Sequence, residues 1–217
     1  MDRGLLDRTE TFVRARLDAR ACGHDWWHIH RVRAAALNIG SAIGADPGMV
    51  EMAALLHDVA DPKLDAFPGE GRGLLAGYLD GCALAPDYRI RLEDILSRVS
   101  FARELDGGDG PAKSPELMAV QDADRLDALG AVGIARTFAY GGSRGQAMHD
   151  PELPPREGLN QKAYREGRST SINHFHEKLL RLKDMMNTEA GRSLAQERHG
   201  YMLGFLEQFA EEWDGRS

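Results

Sequence analysis

The sequence predicts an all-α protein. Apolar residues recur every three or four positions through most of the 217 residues, which is the repeat of a helix with one buried face. No alternating run of useful length suggests a β-strand, and two segments, Asp46-Pro47 and Ser114-Pro115, open with a capping side chain followed by proline at the first helical position. The length suits one domain spanning residues 1–217.

The first helix carries Leu5, Leu6, Thr9, Phe12, Val13 and Leu17. The second should run from about Asp25 to Ile43, because Ile29, Val32, Ala36, Ile39 and Ile43 form a stripe, and Gly44 should end it. The third starts at Asp46-Pro47, carries Val50, Ala53, Ala54 and His57 on one face, and stops at Pro62. A further helix fits Pro86 to Phe101, with Tyr88, Leu92, Ile95 and Val99 inward, and the DGGDG run that follows is a loop. Ser114-Pro115 opens one long helix to Tyr140. From Gly141 to about Ser171 the chain is rich in Gly, Pro and charge (GGSRGQAMHDPELPPREG), so a long surface excursion is expected. Loops of this length often close over ligands, and Gly141-Gly142 would supply the hinge of such a lid. Two last helices are marked by Ile172, Phe175, Leu179, Leu182 and Met186, then by Leu194, Tyr201, Phe205, Phe209 and Trp213. There is no internal repeat.

The balance of 42% hydrophobic and 28% charged residues is that of a folded globular chain. No run approaches the ~18 apolar residues of a membrane span, and MDRGLLDRTE has acids where a secretion signal would be basic and then apolar. Cys22 and Cys82 are far apart and form no CxxC, as expected of reduced thiols in a cytoplasmic protein. The net charge of -7 argues against salt-driven binding to duplex nucleic acid. A small anionic ligand, which needs only a local cluster of cations, fits better. The pattern specifies no oligomeric state.

Three His-Asp dipeptides occur, at 24-25, 57-58 and 149-150. His149-Asp150 falls in the irregular excursion and reads as a solvated turn. His57-Asp58 closes the apolar run MAALLHD, so an imidazole and a carboxylate end a helix that should face the core. Burying both without partners would cost several kcal/mol, and either a hydrogen-bonded pair or a metal site would remove that cost. His28 lies near the start of another inward helix. QDADRLDAL adds Asp122, Asp124 and Asp127, and the shared face of Leu117, Val120, Asp124 and Ala128 turns Asp124 inward, Asp127 to the edge and Asp122 to the far side.

The order His28, His57-Asp58, Asp124 resembles the H...HD...D pattern of the HD-domain phosphohydrolase superfamily. The phrases HIHRV (28–32), ALLHD (54–58) and ADRLDALGA (123–131) strengthen the likeness, and RTFAYGG (136–142) and NHFHEKL (173–179) extend it to a bacterial subgroup of single-domain HD proteins. The resemblance implies an HD-domain helical bundle with a long loop excursion. It further implies a divalent metal held by His28, His57, Asp58 and Asp124, and hydrolysis of phosphate esters or anhydrides, with nucleotides as substrates. Two neutral imidazoles and two carboxylates balance a divalent charge, and such N/O ligation suits manganese, magnesium, iron, cobalt, nickel or zinc, with manganese preferred here.

His24 and His28 form an i,i+4 pair without the glutamate of HExxH, so a protease-type zinc site is a poor fit, and His24 is instead a candidate substrate contact. Asp61, about one turn after Asp58, is the candidate general base, with a simple turn residue before Pro62 as the other reading. Lys63, Arg125 and Lys178 are candidate phosphate contacts, each equally well explained as a solvated charge, and Arg144 and His174 rank below them because a charged surface face explains either one better. The expected reaction is cleavage of a nucleoside triphosphate to monophosphate and pyrophosphate. Phosphomonoester or cyclic-nucleotide hydrolysis is the alternative, and a noncatalytic nucleotide or metal sensor is the reading from a different class.

Overall fold

The structure is a computed structural model that describes residues 2–17, 25–62, 65–99, 111–156 and 167–216. Among these residues it is helical with no strand. The helices are α1 (Arg3–Leu17), α2 (Trp26–Ala42), α3 (Pro47–Leu56), α4 (Glu70–Gly81), α5 (Pro86–Arg98), α6 (Pro115–Asp127), α7 (Gly130–Ser143), α8 (Ser171–Glu177), a 3-10 segment (Leu179–Met185) and α9 (Glu189–Trp213).

The centre is α2, which packs along both α3 and α6. Its stripe of Ile29, Val32, Ala36 and Ile39 is fully buried, and α3 is buried from Met49 to Leu56. The starts follow the predicted grammar. Asp25 caps α2 through the His28 amide, Asp46 caps α3 through Gly48 and Met49, and Ser114 caps α6 through Leu117. Gly44, at φ 70°, ends the turn after α2.

Four expectations are corrected. The helix expected from Ser114 to Tyr140 is two helices, broken at Leu129-Gly130, where Gly130 has φ 71° and turns the chain from α6 into α7. The α4 helix was not anticipated. It fully buries only Gly71 and Leu79, with Leu75 and Tyr78 packed half-buried against the core beside them. The segment expected as one helix to Met186 breaks at Lys178 into α8 and the 3-10 turn.

The excursion also begins later than Gly141. Gly141 and Gly142 lie inside α7, not in a loop, and a Cβ on buried Gly141 would collide with the Ser171 hydroxyl, so Gly141 serves as a packing contact. The described part of the excursion is tied down. The Ser171 and Ile172 amides donate to the carbonyls of Ala147 and Met148, and Asn173 Nδ2 donates to the Leu153 carbonyl. The end of the predicted Pro86–Phe101 helix and the DGGDG loop lie outside the described residues.

Candidate metal centre

Three helix ends meet at one point. His28 sits in the first turn of α2, where the Asp25 cap fixes its amide (3.0 Å). His57 is the C-cap of α3, and Asp58 begins the turn that follows. Asp124 lies one turn before the end of α6. His28 is fully buried and Asp58 is 9% exposed, whereas the Asp124 side chain is 30% exposed and forms the mouth.

His28 Nε2 is 3.3 Å from His57 Nε2, 3.3 Å from Asp58 Oδ2 and 3.5 Å from Asp124 Oδ1. His57 Nε2 is 3.5 Å from Asp58 Oδ1 and 3.9 Å from Asp124 Oδ1. Among the described residues, His28, His57 and Asp58 form a group able to hold a metal ion, and Asp124 faces the same two nitrogens from α6.

The opposite edges of the rings decide what these atoms require. His28 Nδ1 lies 2.7 Å from Asp127 Oδ2, and His57 Nδ1 lies 2.8 Å from the Ala54 carbonyl oxygen. Both partners are acceptors, so both Nδ1 atoms carry hydrogen and both neutral rings turn an Nε2 lone pair inward. Two lone pairs and two carboxylates then face one another with no donor among them, an arrangement that calls for a cation. The spacing fits one: atoms ~2.1 Å from a shared ion stand ~3.0 Å apart at a right angle and ~3.4 Å apart at the tetrahedral angle. Without a metal, a proton meets the same demand. Burial pulls the His28 imidazole down, but its hydrogen bonds to Asp127 and Asp58 outweigh this and raise its pKa to about 9.

Asp127, placed at the edge of the face from sequence, is only 4% exposed. It accepts from His28, from Arg31 through Nε (2.6 Å) and Nη2 (3.0 Å), and from Arg136 Nη1 (2.7 Å). Burial opposes its charge, but these donors, His28 first, hold its carboxyl far below the usual carboxylate range. Asp122 has a structural task. Fully buried, it accepts from the amides of Asn187 and Thr188, from Asn187 Nδ2 and from the Thr188 hydroxyl, and so anchors the start of α9 on α6.

The remaining predicted contacts divide. Arg125 is corrected: it is 4% exposed and donates to the Met185 carbonyl and to Asp122, so a buried structural network takes its guanidinium and it is not a phosphate contact. Asp61 stays one turn from Asp58, its amide donating to the Asp58 carbonyl (3.0 Å). His174 and Lys178 are half-buried at the end of α8. Arg144 is exposed at the end of α7, 5.5 Å above the Tyr140 ring. His24 and Lys63 lie outside the described residues. His149 is not a solvated turn residue. It packs edge-on against Trp213 at 4.8 Å and against Phe209 at 5.9 Å.

The HD-domain family model matches residues 26–129, the stretch that holds all four clustered residues. An uncharacterized Bacillus subtilis protein, YpgQ, is 40% identical over 96% of this chain and 94% of its own length. The chain belongs to the HD-domain phosphohydrolase superfamily. Its HD fold is shared with a Lactobacillus plantarum protein (TM-score 0.89, 35% identity, 99% of both chains). It is shared also with a Bacillus thuringiensis HD-superfamily hydrolase (TM-score 0.73, 42% identity, 96% of both). The crystal structure of B. subtilis YpgQ in complex with ADP superposes at TM-score 0.76 with 34% identity, covering 98% of this chain and 100% of that one.

Sequence reasoning missed the work of Asp127, Arg31 and Arg136. A signal was present in HIHRV and DRLD, since Arg31 follows His28 by three residues and Asp127 follows Asp124 by three. Spacing alone could not show that the later members of both pairs meet.

Proposed function

We propose that this HD-superfamily hydrolase cleaves nucleoside triphosphates to monophosphate and pyrophosphate, using a divalent cation, manganese by preference, held by His28, His57, Asp58 and Asp124. The observation that carries the hydrolase reading is the cluster of two inward Nε2 atoms and two carboxylates, with no donor among the four groups. When bound, a divalent cation supplies a Lewis acid for a phosphoryl oxygen and lowers the pKa of water at the site.

The protein's own groups do the rest. The Asp127 carboxylate and the Ala54 carbonyl hold the two rings so that the ligand set needs little rearrangement, and partly exposed Asp124 leaves the mouth open to substrate. Asp61, held one turn beyond Asp58, is the group we assign to accept a proton from the attacking water. Lys63, His174 and Lys178 are assigned to the phosphates, with His24 and exposed Arg144 as outer contacts. The ADP complex of YpgQ supports a nucleotide as ligand.

The test is a panel of nucleoside triphosphates, monophosphates and cyclic nucleotides with several divalent ions, with the released phosphate species identified by chromatography. Pyrophosphate from triphosphates is expected, and the activity should be lost in His57→Ala and Asp124→Ala. Orthophosphate from monoesters or opening of a cyclic nucleotide would replace the product assignment. Tight nucleotide binding without turnover under every metal would replace the enzyme with a sensor.

A further inference from the structure

The cluster is backed by a second constellation that neither its ligand set nor the reaction uses. Asp127 ends α6 with a carboxylate whose two oxygens take three side-chain partners from two other helices. Oδ2 meets His28 Nδ1 at 2.7 Å and Arg136 Nη1 at 2.7 Å, and the Arg31 fork spans both oxygens at 2.6 and 3.0 Å. Arg136 Nη1 also donates to the Asp127 carbonyl at 3.2 Å. One buried acid is therefore shared by two guanidinium groups and one imidazole.

The stoichiometry is informative. A single arginine would be enough to keep a buried carboxylate ionised, and a backbone carbonyl is enough to orient His57. At His28 the chain instead places a full negative charge behind the ring and two positive charges behind that. An ionised acceptor at Nδ1 fixes the hydrogen there and raises the basicity of the inward Nε2. The two arginines, fixed from α2 and α7, hold the same carboxylate in place against the ring.

We infer that Asp127 is a positioning residue for His28, and that Arg31 and Arg136 clamp it in that role, so that metal affinity is set partly by a triad outside the ligand set. The inference rests on the reading of His28, His57, Asp58 and Asp124 as a metal site. Arg31 comes from the same helix as His28, one turn on, so the clamp and the ligand move as one body.

The experiment measures Mn2+ affinity by calorimetry and, in the zinc-loaded protein, the His28 Nδ1–H signal by 15N-edited NMR. Wild type, Asp127→Asn, Asp127→Ala, Arg31→Ala and the ligand variant His57→Ala are compared. Asp127→Ala is expected to weaken Mn2+ binding about 10–100-fold. Asp127→Asn should fall between it and wild type, since an amide oxygen still accepts from Nδ1–H. Arg31→Ala should give the smallest loss, with Arg136 still in place.

The downfield, slowly exchanging His28 Nδ1–H of wild type should move upfield and exchange faster in Asp127→Asn, while the His57 signal stays put. Loss of helix packing alone would not produce that selectivity. If Asp127→Ala does not fold, the Asn and Arg31 variants carry both readouts. Wild-type affinity and an unmoved His28 signal in Asp127→Asn and Arg31→Ala, with binding lost in His57→Ala, would overturn the positioning role and leave the metal site standing. Absence of metal binding in the wild type would remove both.

Discussion

At the residue scale, the three aspartates of α6 show that one residue type does different work according to the direction each side chain faces. Asp122, Asp124 and Asp127 lie within six positions of each other, yet one anchors α9, one opens on the cluster and one backs His28. Asp122 is the structural member, fully buried, with backbone and side-chain donors from Asn187 and Thr188 on both oxygens. Removing it would leave those donors and the guanidinium of Arg125 buried beside an apolar stub. Asp122→Ala is therefore expected to lower stability by about 3–5 kcal/mol, the usual loss when one partner of a buried charged network is deleted. Urea unfolding followed by circular dichroism measures it, and a loss under about 1 kcal/mol would show that α9 docks by its apolar face alone.

At the element scale, the short α8 helix is held by an acid of its own. Glu177, with its side chain 1% exposed, accepts from the Arg156 amide, from Arg156 Nε and Nη2, and from the Ser169 hydroxyl, tying both described ends of the excursion to one helix. Burial raises its carboxyl, but the hydrogen bonds from Arg156 outweigh this and leave it below its ordinary value. The sign follows from linkage. A carboxyl lowered on folding stabilises the fold above its unfolded value, and the contribution disappears as pH falls through the folded value. The stability difference between wild type and Glu177→Gln should therefore be largest near neutral pH and shrink steadily in acid. A difference independent of pH would mean that shape, and not charge, holds this contact. Hydrogen exchange of residues 167–177 over the same range would locate the effect.

At the scale of the whole molecule, the cluster takes residues from α2, α3 and α6, so a cation bound there joins the central helices of the domain. A ligand that binds only the folded form stabilises it by RT ln(1 + [L]/Kd), about 2.7 kcal/mol at one hundred times Kd. Saturating Mn2+ should raise the thermal midpoint, EDTA should reverse the rise, and the shift should vanish in His57→Ala and Asp124→Ala. A midpoint that Mn2+ does not move, measured by differential scanning fluorimetry, would show that the four residues meet for structural reasons alone.

The amino-acid order determined most of the helices, because caps, prolines and the spacing of apolar residues act within a few positions. Asp25, Asp46 and Ser114 each start a helix as expected, and Gly44 ends a turn. It also marked His57, Asp58 and Asp124 as polar groups on inward faces, and the resemblance to the H...HD...D pattern joined them with His28 into one set. What only the tertiary structure decided was partnership. Arg125 has the same charge as a phosphate contact would need, but the 3-10 segment and Asp122 enclose it. Asp127 seemed to sit at the edge of its face until Arg31 and Arg136 converged on it from other helices. Helix α4 went unread because no capping side chain marks its start at Gly69 and four glycines interrupt its sequence. Periodicity reports which face of an element turns inward, whereas a charged side chain's role depends on which distant residue packs opposite that face.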